Sequence, residues 1–433
     1  MALTTGAPGE ANLKAMDVIT HADAPPEASA DPAGSDPHRA GRGFLRLGLL
    51  RDLEHPSDLF ANLGPNWFAS IMGTGIVANA AAILPVQFPG FRTAATIVWA
   101  FAALMLVALS GAWTVQWIRH RETAKGYAHD PVMAQFWGAP PMALMTVGSG
   151  TLLLGKDWIG LTPALTVDWT LWIAGTALGL ITTVWIPFRM MTTHDIKPGS
   201  AFGGWLMPVV PPMVSAADGA LLIPHLPEGQ LRLGMLMACY AMFGISLFAT
   251  LFIVPQVWQR LVQHKTGAAA SVPTVWIVLG PLGQSITAAN LLGGDAIGVL
   301  PAPLDQGASA FGVFYGVPTW GFAAMWMVLA AALTLRTARQ KLPFSLTWWS
   351  FTFPVGTVVT GTIALSARTH SELFTGASVV FYLVLVAAWI TVAIRTAYGS
   401  YRGYLFAPTP APPFGVLASN VLPAASGGPE RPR

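Results

Sequence analysis

The 433 residues are 53% hydrophobic and only 10% charged, with a mean hydropathy of +0.55, a composition too poor in charge to clothe a soluble protein, so most of the chain is expected to face lipid. A single cysteine, Cys239, excludes an internal disulfide framework and a multi-cysteine metal site. The net charge of +3 is spread through short connectors rather than gathered in a patch, so no nucleic-acid partner is expected.

Residues 1–60 are rich in acidic side chains, among them Glu10, Asp17, Asp23, Glu27, Asp31 and Asp36, and residues 1–43, rich in Ala, Pro, Asp and Gly, show no hydrophobic signal-peptide core. Such a segment cannot bury enough apolar area to offset chain entropy, and it reads as a disordered cytoplasmic N-terminal tail. Arg39, Arg42, Arg46 and Arg51 interleave with Phe44, Leu45, Leu47, Leu49 and Leu50, a pattern that suits an interfacial helix or a solvated linker equally. Residues 401–433 read as a second disordered cytoplasmic tail.

Between the tails, residues 61–400 are expected to form one transmembrane domain. Apolar runs long enough to cross ~30 Å of hydrocarbon fall at 64–84, 95–117, 133–154, 169–188, 201–223, 234–257, 273–293, 310–334, 345–366 and 375–397. The expected fold is an all-α polytopic membrane protein of ten transmembrane helices. The even-numbered connectors hold Arg119, Arg121, Lys125, Arg189, Lys197, Arg260, Lys265, Arg336, Arg339 and Lys341, whereas the odd ones hold only Arg92, Lys156, Arg232 and Arg368. Cytoplasmic loops are enriched in Lys and Arg, so both termini are expected in the cytoplasm of a multi-pass plasma-membrane protein.

The odd spans share a layout: an aromatic residue, a backbone breaker, then small and hydroxylated residues. They read WFASIMGTGIVAN from Trp67, WGAPPMALMTVGSG from Trp137, WLMPVVPPMVSAADG from Trp205, WIVLGPLGQSITAAN from Trp276 and WSFTFPVGTVVTGT from Trp349. Five tandem helical hairpins follow, with the odd helices kinked by Pro140, Pro141, Pro208, Pro211, Pro212, Pro281 and Pro354 and lining a central pore. Gly73 and Gly75 take the proline's place in the first span. Candidate pore-lining residues are Ser70, Gly73, Thr74, Pro140, Thr146, Pro208, Ser215, Pro281, Ser285 and Thr357. The alternative is that these small residues only help helices pack, as they commonly do in membranes.

Gly64-Pro65-Asn66-Trp67-Phe68 running into Met72-Gly73-Thr74-Gly75-Ile76, together with Trp348-Trp349-Ser350-Phe351-Thr352-Phe353-Pro354, resembles the tellurite-resistance/dicarboxylate transporter family. That family holds bacterial TehA proteins, plant guard-cell slow anion channels, fungal malic acid permeases and fungal sulfite efflux pumps. The likeness spans about residues 60–400, and the first motif is nearer to the malate and sulfite branches. It implies a homotrimer in which each protomer has its own pore, closed by a phenylalanine of the ninth helix. That role carries onto Phe353, or onto Phe351 as the fallback.

Charge within the bilayer is costly and therefore functional by default. Asp218 is the one candidate well inside a predicted span and the candidate for proton coupling, whereas Asp168 is expected at a solvated interface. No metal-ligand grouping, nucleotide loop or paired carboxylate motif is present, so neither an enzyme nor a bound cofactor is expected. A path without fixed arginines releases an anion readily, which favours a gated pore or weakly coupled carrier for small anions: sulfite, a C4-dicarboxylate such as malate, or inorganic monovalent anions. The alternatives are a proton-coupled C4-dicarboxylate carrier working through Asp218, and a membrane scaffold that transports nothing.

Overall fold

The computed structural model describes residues 50–53 and 56–407; the two predicted tails, including the arginine stretch 39–46, lie outside it except for their inner ends. Among the described residues there are twelve α-helices and no strand. In chain order they are α1 (Phe68–Ile83), α2 (Phe91–Arg119), α3 (Arg121–His129), α4 (Ala139–Gly150), α5 (Lys156–Ile159), α6 (Leu161–Thr192), α7 (Pro211–Leu222), α8 (Gln230–His264), α9 (Leu279–Asp295), α10 (Leu304–Ala338), α11 (Phe353–Thr369) and α12 (Glu372–Arg402).

Seven helical stretches are long and apolar enough to cross a membrane, and they divide by burial. The hydrophobic windows of α2, α6, α8, α10 and α12 are only 22–33% buried, while those within Ala269–Asp295 and Leu346–Thr369 are 89% buried. Side chains such as Val107, Phe252, Phe314 and Val328 on the first group are exposed, as surfaces solvated by lipid tails are. At 1.5 Å per residue the 35 residues of α8 extend ~52 Å, so its ends pass beyond the hydrocarbon. The polar, basic last turn of α8 fits that overhang.

The prolines of the odd segments, Pro208 apart, stand in the first turns of their α-helices rather than in the interiors. Pro140 and Pro141 lie in the first turn of α4, Pro211 and Pro212 open α7, Pro281 is the third residue of α9 and Pro354 the second of α11. A first-turn residue has no intrahelical N–H bond to lose, and proline's fixed φ suits that turn. Pro208 precedes α7, between a short 3-10 turn at Gly203–Leu206 and the helix proper. Tight 3-10 turns likewise lead into α1, α4, α9 and α11. Prolines within α-helices beyond the first turn are Pro187, Pro255 and Pro318, all in the long lipid-facing helices.

The buried helices meet in a closed order. α1 packs on α4, α4 on α7, α7 on α9, α9 on α11, and α11 back on α1. Each also packs on the long helix that follows it, α1 on α2, α4 on α6, α7 on α8, α9 on α10 and α11 on α12. Glycine permits the closest approaches: a Cβ on Gly138 would overlap the Met207 carbonyl, one on Gly203 the Thr274 carbonyl, and one on Gly283 the backbone of Thr357. Neighbouring repeats therefore touch backbone to backbone.

The inner ends of the two tails are joined. Leu50 N–H donates to the Tyr401 carbonyl at 2.7 Å, Asp52 N–H to the Arg402 carbonyl at 2.9 Å, and Arg402 Nε to Asp52 Oδ2 at 2.7 Å. Gly403, at φ +94, makes the turn beneath Leu50 and Leu53, and Trp67 stacks on Phe406 at 5.0 Å. The hydrogen bond from Arg402 holds the Asp52 carboxyl below its ordinary range. A carboxylate whose pKa is lowered by folding stabilises above its unfolded pKa and loses that contribution as pH falls through the folded value. Asp52→Asn at neutral pH, or acidification through the carboxylate range for the wild type, is accordingly expected to speed proteolysis near residue 50 with α1–α12 intact, a change that limited digestion of the detergent-purified protein reads directly. Equal digestion rates at neutral pH would remove the ion pair as the fastening.

Candidate functional site

The first turns of the five buried helices converge on one narrow cavity of about 20 Å³. Ala69 and Met72 come from α1, Met142 from α4, Val210 from the residue preceding α7, Gly280 from α9, and Phe353 with Pro354 from α11. Phe136, Met207, Ile277, Leu346 and Trp349, from the 3-10 turns and the segments beside them, complete the wall with Ser350, its one hydroxyl. None of the five helices has a side-chain cap from its N-cap residue. The preceding 3-10 turns accept from the first N–H groups of α1, α4 and α9, and Ser246 Oγ accepts from Met213 N–H of α7 at 3.0 Å, so these first turns bring partly satisfied positive dipole ends to an apolar chamber. Such a chamber attracts an anion weakly and carries no fixed cation to trap it.

Phe353 is 3% exposed and is the first residue of α11, at the cavity wall. Phe351 lies outside the lining, edge-on to Trp276 at 5.5 Å and to Trp348 at 5.6 Å.

The hydroxyl candidates bind helix neighbours. Ser70 Oγ donates to the Trp67 carbonyl and Thr146 Oγ1 to the Met142 carbonyl, each at 2.7 Å. Thr74 accepts from Trp389 Nε1 of α12 at 3.1 Å, and Thr357 donates to the Leu279 carbonyl at 3.1 Å. Ser215 accepts from Thr176 of α6 at 3.0 Å and touches Met145 Sδ at 3.1 Å. Gly73 faces the Trp349 ring, Pro140 is buried in α4, and the Pro208 carbonyl accepts from Thr183 at 2.8 Å. Pro281 and Ser285 line a different hollow of about 480 Å³, shared with α8 and α10, whose wall includes the exposed Leu251 and Phe322. None of these ten candidates is in the lining of the central cavity.

At the opposite ends of the buried helices lies a polar group that the sequence reading only half anticipated. Asp168, expected at a solvated interface, is 1% exposed, and both its carboxylate oxygens are buried without a hydrogen-bond partner. Its burial follows from α6 beginning at Leu161, two turns earlier than the apolar run suggests. Oδ1 of Asp168 lies against Gly148 of α4. Asp218 on α7 lies near Asp168 and Ser149, and Ser149 Oγ accepts from Asn79 Nδ2 of α1 at 3.0 Å. One oxygen each of Asp218 and Asp295 is also buried and unpartnered. The signal available in the sequence was that Asp168 lies eight residues before Thr176, within reach of an unbroken helix.

A sequence model described as voltage-dependent anion channel matches residues 62–397. The chain is 28% identical over 380 residues to the sulfite efflux pump SSU1 of Arthroderma otae, covering 85% of this chain and 99% of that protein. It is 27% identical over 360 residues to an uncharacterized transporter of Methanocaldococcus jannaschii, covering 83% and 99%, and 21% identical over 338 residues to the malic acid transport protein of Schizosaccharomyces pombe, covering 75% of each.

Proposed function

Because the chain belongs to the voltage-dependent anion channel family, it moves small anions across a membrane, and we propose that they pass through the centre of the ring formed by α1, α4, α7, α9 and α11. In this reading the protein has ten transmembrane helices in five tandem hairpins, the three shorter buried helices spanning with the help of their 3-10 turns. The observation that carries it is the convergence of the first turns of α1, α4, α9 and α11, and of the residue ahead of α7, on one apolar cavity. Dipole ends favour an anion over a cation, and an apolar wall with Phe353 in it resists wetting until it opens. Phe353, rather than Phe351, is the gate.

Sulfite is the substrate proposed first and a C4-dicarboxylate second, since the relative named for sulfite efflux aligns over nearly its whole length at higher identity than the one named for malate. Flux in proteoliposomes for sulfite, malate, chloride and nitrate, under a set voltage with and without a pH gradient, tests this. Sulfite flux that follows voltage is expected; flux of none of the four would remove the central path. Plasma-membrane residence, cytoplasmic termini and a homotrimer belong to the same proposal, the last supported only by resemblance.

The second reading, a proton-coupled carrier, is favoured by Asp168 and Asp218, two neighbouring carboxyl groups with no cation among their hydrogen-bond or ion-pair partners. Asp168→Asn and Asp218→Asn are expected to abolish any response of flux to an imposed pH gradient if a proton travels with the anion. The carrier reading fails if a pH-dependent wild-type flux survives both substitutions.

A further inference from the structure

A third hollow, of about 330 Å³, lies between residues 196–201, which connect α6 to α7, and the last turns of α8. This is the side on which the predicted basic connectors gather. Lys197, Gln256, Gln259, Arg260 and Gln263 contribute to its wall, and no carboxylate does. Arg260 is only 7% exposed; Nη1 donates to the Thr266 carbonyl at 3.3 Å, while Nε is buried with no partner. Neither Arg260 nor Lys197 has an ion-pair partner among the described residues.

A guanidinium withdrawn from water without a counter-charge is costly, and such a group is ordinarily paired. The positions one turn away from Arg260, 256 and 263, would pair it if they were Glu, but both are Gln. Amide side chains can donate to an oxyanion without neutralising the guanidinium beside it. The hollow is shaped by Gly199, at φ +74, where a Cβ would overlap the His264 ring, so the connector lies directly on the end of α8.

We propose that this hollow binds an oxyanion of the phosphate class, held by Arg260 and Lys197 with amide donation from Gln259 and Gln263. The same chemistry is offered by an anionic lipid headgroup and by a free anion. The site is separate from the central cavity, with which it shares no lining residue. It is nevertheless joined to it by sequence: Trp205 lines the hollow, and Met207 and Val210 line the cavity.

The test uses the full chain in nanodiscs and follows its unfolding temperature, which rises when a ligand binds only the native state. One arm titrates inorganic phosphate against chloride at equal ionic strength in zwitterionic lipid; the other replaces part of that lipid with an anionic phospholipid. A saturable rise with phosphate assigns the free anion, and a rise in the lipid arm alone assigns the headgroup. Lys197→Gln, which removes an exposed cation, and Gln263→Glu, which places a carboxylate in the hollow, are each expected to weaken the response about tenfold in midpoint concentration or lipid fraction. Arg260→Gln is expected to abolish it; because that residue is buried, the two surface variants decide the matter if it does not fold. No rise in either arm, or wild-type responses from both surface variants, overturns the proposal whether or not the central path conducts.

Discussion

Phe353→Ala is expected to raise anion flux by about tenfold or more, equivalent to ~1.4 kcal/mol or more removed from the barrier. The residue stands at the first turn of α11 against the apolar cavity, where Met72, Met142, Met207 and Trp349 offer an ion no ligand in place of its water and Ser350 is the one hydroxyl. Hydrophobic constrictions hold a path closed by excluding water, so shortening the aromatic side chain widens and wets the narrowest part. The same change leaves a void in a buried site and costs about 3–5 kcal/mol of stability, so flux is to be compared only for monodisperse protein, with Phe353→Leu as a smaller step in the same direction. Phe351→Ala is the control: its ring packs on Trp276 and Trp348 away from the cavity, and its flux should stay near wild type. Wild-type flux from folded Phe353→Ala would take the gate away from Phe353.

The second large effect concerns folding. Gly203→Ala places a methyl group on the Thr274 carbonyl, backbone against backbone, where no side chain can swing aside. Overpacking costs about 1–3 kcal/mol in ordinary cores, and a rigid carbonyl puts this substitution at or above the upper end. The expected result is a sharp fall in the yield of monodisperse protein and in its unfolding temperature. Gly111→Ala gives the comparison, since nothing lies within 4 Å of a Cβ there, and it should leave both unchanged. Equal behaviour of the two variants would mean that the turns ahead of α7 and α9 are not pressed together as described.

The lipid-facing helices were legible in the sequence because long apolar runs without breakers have few alternatives. Residues 95–117 and 375–397 became α2 and α12 with only a few residues added at each end. The odd segments were legible as a repeated set but not in their geometry. Proline carries two opposed meanings, a break in a helix or its first turn, and the short 3-10 turns that decide between them have no hydrophobic signature. The facing of the hydroxyl groups was hidden for a related reason. A helix such as α1, buried on nearly every side, offers no polar stripe to show which way Thr74 points, and it turns to Trp389. Asp168 was misplaced because apolar length marks where lipid begins, whereas α6 starts two turns outside that limit. Arg260 was counted as a connector charge, and only the packing of residues 196–201 over it reveals its burial.

Leu50 pairs with Tyr401, and α12 packs on α1 as the other long helices pack on the buried helix that comes after each of them. The last long helix of the described residues therefore meets the first buried helix as the other long helices meet their successors, and the ring closes without a gap. A substitution that parts α12 from α1 would open the ring at that contact alone.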